Sequence, residues 1–461
     1  MKKLIVSVIA LSLFLNAFAG GLLTNTNQNV AFLRNPARDA TIEIDAAYSN
    51  PAGLAFLNRD GFYISLNNQS AFQKRTITAD FAPFAGFGGN SVKVFEGDAR
   101  AFVIPNLQAA YKTGDWAFSL NLGVAGGGGS LDFSKGLPSF ESTVAIAPVL
   151  LNGMQPAAGF GGYSLESQLK GSSMTIGAQL GASYAITEYI SVYGGGRYNY
   201  IDNGYKGYLQ NIQIGMGGNL IPASTLLANP ALAPLAGLIG EKELDCQQTG
   251  SGITPIVGLD FHWDRLNIGV KYEFNTSVDL TNNTKNNTTG VADYNDGVKT
   301  PYDLPALLAV GAQYDIIPQV TVSAAYHHFF DSNAKMANDK QKFIDGGINE
   351  YLAGLEYRIN DFFLVSCGAQ FTRSGVTDAY QTDLSYSLNS WSLGFGGAVN
   401  ITNNIRVNLA YFFTNYDEWT KNSTDYNNLN KLTNGMFPAM AGKDTFGRTN
   451  KTFGIGLDFR F

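Results

Sequence analysis

Apolar and polar positions alternate with a period of two over most of the chain, most cleanly in the last segment. From Thr449 the odd positions are Thr449, Lys451, Phe453, Ile455, Leu457, Phe459 and Phe461. The even ones are Asn450, Thr452, Gly454, Gly456, Asp458 and Arg460. Such alternation predicts a β-strand with one apolar and one polar face. It recurs over residues 116–124, 174–184, 257–263, 266–274 and 405–413. The connections alternate too. Short turns fall at 113–115, 186–188, 263–265, 315–319, 359–361 and 401–404, and longer polar segments around 75–98, 126–165, 204–248, 280–302, 331–346, 375–384 and 418–447. Short turns on one side and long loops on the other, about 14 strands in all, predict an all-β transmembrane antiparallel barrel with both ends on the periplasmic side. Its apolar face meets lipid and its polar face lines the lumen. Asp260, Lys271, Glu273, Arg358, Arg406 and Arg460 are then lumen charges.

Composition agrees with a barrel. Only 15% of the 461 residues are charged, 13% are aromatic and 52 are glycine, against the ~25% charged residues of an ordinary soluble domain. After the first twenty residues no apolar run is long enough for a helical span. A net charge of −6 with no basic patch argues against nucleic acid as a partner. Lys2 and Lys3, the apolar residues 4–15 and Ala17-Phe18-Ala19 form a secretory signal, so 1–19 is expected to be removed. Cys246 and Cys367 are too few and too far apart for a disulfide framework, and Cys367 is expected to pack on an apolar strand face.

Residues 20–59 are too polar for a wall strand and too short for a domain. They are expected to form a small plug inside a barrel comprising 60–461, with Arg34, Arg38, Asp39, Glu43 and Asp45 facing a polar lumen. Two loop segments, 144–151 and 222–244, are apolar, which on an extracellular face implies either binding or burial against other loops. Gly126-Gly127-Gly128-Gly129 follow the third strand pattern, where glycine suits a bulge or break in a ladder.

The signal segment, the plug-sized stretch and Asn50-Pro51-Ala52-Gly53-Leu54 about thirty residues into it resemble the FadL/OmpP1/TodX family of outer-membrane transporters for long-chain fatty acids and other hydrophobic compounds. The resemblance implies an N-terminal hatch, with Asn50, Pro51, Ala52 and Gly53 as its anchor or hinge. It implies a wall opening at Gly126–Gly129. It also implies ligand contact by Gly20, Gly21, Leu22 and Leu23, and a capture groove around Leu226, Leu227, Leu232, Leu235, Leu238 and Ile239. A fatty acid or other hydrophobic small molecule is then the ligand, outer-membrane lipid and lipopolysaccharide the surroundings, and a monomer the expected state. No cofactor is implied. The alternative is a general porin or adhesin-like barrel without hydrophobic-ligand specificity. Tyr326-His327-His328 near Ser332 lacks a spacing that would join a base to a nucleophile. Asp293, Asn295 and Asp296 could offer oxygen ligands to calcium but read better as a polar loop.

Overall fold

The computed structural model describes residues 27–461. The signal segment 1–19 and Gly20, Gly21, Leu22 and Leu23 lie outside the described residues. The wall is a closed antiparallel barrel of 14 strands. They are β1 (Gly61–Phe81), β2 (Val92–Thr113), β3 (Trp116–Phe133), β4 (Phe160–Ala185), β5 (Ile190–Met216), β6 (Lys242–Trp263), β7 (Leu266–Glu273), β8 (Leu307–Ile317), β9 (Val320–Phe329), β10 (Ile348–Arg358), β11 (Phe363–Arg373), β12 (Ser390–Thr402), β13 (Ile405–Tyr416) and β14 (Gly442–Arg460). β1 and β14 close the ring, Tyr63 opposite Arg460 and Phe81 opposite Gly442. Closure leaves no open sheet edge, the condition for a strand wall in lipid.

The outer face carries two aromatic belts. Near the short turns lie Phe62 against Tyr111, with ring centroids 4.4 Å apart, and Trp116 against Tyr184 at 4.6 Å. Towards the long loops lie Phe72 against Phe102 at 5.7 Å and Trp391 against Phe413 at 5.8 Å. Between the belts the outward residues are exposed and apolar, as in Leu180, Leu259, Leu393, Leu409 and Ile455. On β5 the band runs from Ile190 to Tyr200, ten residue steps, or about 25 Å once strand tilt is allowed for. That is the height of a lipid-facing band. Cys367 is exposed on this face rather than packed, because the apolar side of β11 faces outward.

The long loops are shorter than the sequence pattern implies, because the strands continue above the upper belt. β1 reaches Phe81, β2 starts at Val92 and β4 and β5 run 26 and 27 residues. Above the lipid both faces of a strand can be polar, so Gln73, Lys74, Arg75 and Thr76 read as loop but pair as strand. β3 likewise does not end at the glycines but continues through them to Phe133.

Residues 27–57 lie within the ring. They form two short helices, α1 (Val30–Arg34) and α2 (Ala46–Ser49), and a 3-10 helix, Pro51–Phe56. The wall makes room for them with inward glycines. A Cβ on Gly269 or Gly311 would strike Asp39, one on Gly354 would strike Asn35, and one on Gly394 would strike the Leu33 carbonyl. Gly269 pairs directly with Gly311, and Gly354 with Gly368, which in turn pairs with Gly394, so much of the belt is continuous across strands.

Candidate functional site

The plug is held to the wall by polar side chains that the strands present inward. Asn29 donates to Gln108 at 2.6 Å, and the Val30 N–H donates to Asn67 at 3.1 Å. Arg34, fully buried, pairs with Glu356 and donates to Ser366 at 2.8 Å. Arg38 grips Asp45 through Nε at 2.6 Å and Nη2 at 2.9 Å and reaches Glu43 at 3.2 Å. Glu43 in turn accepts from Arg406 at 2.8 Å. His327 stands between Asp39 of the plug, 2.9 Å away, and Glu350 of the wall, 2.8 Å away. Both of its ring nitrogens therefore face carboxylates and neither faces a serine.

Asn50, Pro51 and Ala52 are tied to three successive strands, β4, β5 and β6. Asn50 donates to Asp260 on β6 and to the Thr41 carbonyl at 3.1 Å. Asn267 on β7 donates to the same Asp260 oxygen at 2.9 Å and is also 2.8 Å from the Ala40 carbonyl. Ser183 on β4 donates to the Pro51 carbonyl at 2.6 Å, and Ser191 on β5 to the Ala52 carbonyl at 2.7 Å. A side chain on Gly53 would strike Asn50 and the Thr41 carbonyl, which explains the glycine.

Beside the plug the β2–β3 ladder is interrupted. β2 and β3 pair from Thr113–Trp116 up to Asn106–Gly123 and again at Ala99–Leu131 and Asp98–Asp132, with no pairing between. Against β4, β3 is bulged at Val124/Gly126 and at Gly127/Gly129. Gly127 has φ +78, and a Cβ there would meet the Ser173 carbonyl, so the bulge requires glycine. On the other side of the gap, β2 bulges against β1 at Gln69/Ala71. The outward Ser70 donates to the Phe102 carbonyl at 2.7 Å, and Asn68 accepts from the Ile104 N–H at 3.1 Å. These side chains satisfy backbone groups of the bulged segment near the lipid. A cavity of about 240 Å³ lies above the plug, bounded by Phe32, Leu33 and Tyr48 below and by Gly127, Gly129 and Leu131 at the gap.

Over the cavity the extracellular loops pack into a cap with its own apolar core. Val144, Ile146 and Leu151 of the 144–151 segment are in it. So are Leu226, Leu232, Leu235, Leu238 and Ile239, all buried, with Leu227 packed against them. These six therefore do not line an open groove: the loops cover one another, because isolated apolar turns are stable only when they share a core. The exposed apolar hollow lies instead between 82–86 and 145–163, about 340 Å³, lined by Pro83, Ala85, Pro148, Val149, Phe160 and Met440. Asp293, Asn295 and Asp296 bond within their loop, Asn295 accepting from Asn287 at 2.9 Å and Asp296 from the Thr284 N–H at 3.0 Å. Among the described residues no group of three His, Cys, Asp or Glu is placed to hold a metal.

The cap contains charges that burial penalises. Tyr426 donates to Asp444 at 2.6 Å, yet burial pushes Asp444 up to about 7. Burial, aided by the Lys421 charge, pushes Lys340 down to about 7. A raised Asp444 stabilises the closed cap below the ordinary carboxylate range, and that stability is lost as pH rises through about 7. Lys340 opposes closure below about 7 and stops doing so as pH rises towards the ordinary lysine range. Both penalties act near neutrality. Proteolytic nicking within 424–441 is therefore expected to be slower at about pH 5 than at about pH 7.5, and Asp444→Asn is expected to remove most of that difference.

No family model matches the chain, and no curated protein matches it. Solved structures do. A Pseudomonas aeruginosa FadL homologue superposes with a TM-score of 0.61 at 11% identity, covering 96% of this chain and 100% of that one. The chain has the FadL-type fold. The Pseudomonas putida toluene transporter TodX gives 0.53 at 17% identity, covering 91% and 94%. The Ralstonia pickettii toluene transporter TbuX gives 0.55 at 16%, covering 95% and 99%. In this FadL-type barrel the sequence pattern pointed to the plug, its Asn50–Gly53 root and the glycine run. It did not single out Ser183, Ser191, Asn267 or Glu356 among the wall groups that hold the plug, and it weighed His327 only as a base for a nucleophile. Each sits at an inward position of its strand, the one signal that could have found it.

Proposed function

We propose that this barrel carries hydrophobic small molecules across the outer membrane by passive diffusion. The observation that carries the reading is the cavity bounded by the plug on one side and by the open β2–β3 ladder on the other. Water-filled pores serve small polar solutes. An acyl or aromatic ligand loses about 0.8 kcal/mol per methylene each time it is hydrated, so a route from an apolar hollow through a cavity into lipid suits it better. On this reading the hollow at Pro83, Val149 and Phe160 captures the ligand, and the plug, residues 20–59, gates the cavity. Gly126, Gly127, Gly128 and Gly129 then shape the exit between β2 and β3. TodX and TbuX, toluene transporters with this fold, support the reading.

The test uses purified protein. Binding of a long-chain fatty acid or toluene is expected, with little sugar flux through reconstituted liposomes. Deleting residues 20–29 is expected to change hydrophobic uptake several-fold. A barrel that passes sugars freely and binds no hydrophobic ligand overturns the proposal.

A further inference from the structure

Two cations interrupt the upper aromatic belt on the outer face of the wall. Arg100 on β2 stands directly opposite Phe72 on β1, and Phe72 stands opposite Lys451 on β14. Lys451 is in turn opposite Phe413 on β13. One row across four strands therefore carries Arg100, Phe72, Lys451 and Phe413. Arg100 and Lys451 are exposed, in step with the exposed Phe102 and Phe453 of their own strands. Their backbones are two strand spacings apart, about 10 Å. Neither forms an ion pair among the described residues, whereas nearer the loops the outward charges are matched. There Lys74 meets Glu96 at 2.6 Å and Lys170 meets Asp132 at 3.3 Å. Asp98, the next outward residue above Arg100, stands opposite Lys74. Below the two cations the surface is aromatic: the Phe72 ring lies 6.3 Å from Phe453, and Phe453 lies 4.8 Å from Tyr411.

A charge at the edge of hydrocarbon is costly unless it reaches water or meets an anion. The leaflet that the upper belt meets is built of phosphorylated glycolipid, whose phosphates sit where its acyl chains begin. A guanidinium fork takes a phosphate with two parallel hydrogen bonds, and an ammonium adds a point charge. Aromatic rings just below offer broad apolar faces to the first part of an acyl chain. We propose that Arg100 and Lys451, with the rings of Phe72, Phe102 and Phe453, form a site for one lipopolysaccharide molecule, held through the phosphates of its lipid A. Two cations about 10 Å apart suit a headgroup with two phosphates, one to each charge, better than a lipid with a single phosphate. The site faces the membrane and is separate from the cavity inside the wall, so it stands whatever the cavity carries.

The experiment is native mass spectrometry on the purified full chain. Diphosphoryl lipid A, its dephosphorylated form and phosphatidylglycerol are offered at equal concentration. Wild type is expected to retain diphosphoryl lipid A on the order of 10- to 100-fold more tightly than the dephosphorylated form, the equivalent of one or two charge-assisted hydrogen bonds. R100Q/K451Q is expected to lose that preference. K74Q removes a nearby cation that already has Glu96 as its partner, so it is expected to keep the preference. Equal retention of lipid A with and without its phosphates overturns the site. So does a preference that survives R100Q/K451Q, or one that K74Q removes equally well. Phosphatidylglycerol held as tightly as diphosphoryl lipid A also overturns it, because the patch then serves any anionic lipid.

Discussion

Replacing Arg38 by methionine is expected to unseat the plug. The guanidinium is buried and holds Asp45 with two hydrogen bonds, Thr41 with another at 2.7 Å, and Glu43 at 3.2 Å. It also approaches Glu356 on the wall at 3.8 Å. Methionine matches much of its length but leaves those carboxylates with reduced compensation in a buried setting. Breaking one side of a buried pair in this way costs about 3–5 kcal/mol. The plug is short and has little core of its own, so a loss of that size exceeds what two helices of five and four residues contribute. Planar-bilayer recordings should show wild-type channels nearly closed to small ions and Arg38→Met channels with large, flickering conductance. Unchanged conductance would mean that the wall-to-backbone bonds hold the plug without the charge network.

The charges that join plug and wall close into one network through Arg34–Glu356, Arg38–Asp45 and Arg406–Glu43. Removing a member there leaves a charge exposed to its own kind.

The architecture was legible because lipid imposes a period of two on every strand between the belts. Phe453, Ile455 and Leu457 must face lipid, and Gly454 and Gly456 must face inward. Where lipid ends the constraint ends, so the upper ends of β1, β4 and β5 read as loops. The apolar run from Leu226 to Ile239 could be read only as either groove or core. Which one it became depended on partners distant in sequence, such as Leu137, Phe140 and Ile146. The glycine run at Gly126–Gly129 carried a local signal, since Gly127 occupies a backbone conformation other residues avoid. The anchor residues of the wall carried none beyond their parity. Asp260 and Asn267 are polar, inward and unremarkable until the chain folds Asn50 against them.

That contact bears on whether Asn50 serves as an anchor or a hinge. A hinge needs backbone freedom with few bonds, whereas Asn50, Pro51 and Ala52 are bonded to three neighbouring strands. Asn50→Ala is expected to remove two of these bonds and to leave buried Asp260 with Asn267 as its remaining donor. A hydrogen bond to a charged group contributes about 1.5–3 kcal/mol, so residues 38–50 should exchange amide hydrogens roughly 10- to 100-fold faster. The Pro51 and Ala52 carbonyls still accept from Ser183 and Ser191, so exchange at 51–57 should change far less. Asn50→Asp should be worse than alanine, because it sets a second carboxylate against Asp260. A hinge predicts the opposite outcome in both respects: little change in exchange on losing the side chain, and equal tolerance of alanine and aspartate. Exchange measured by mass spectrometry on the three proteins separates the two, and the density of bonds around Asn50 favours the anchor.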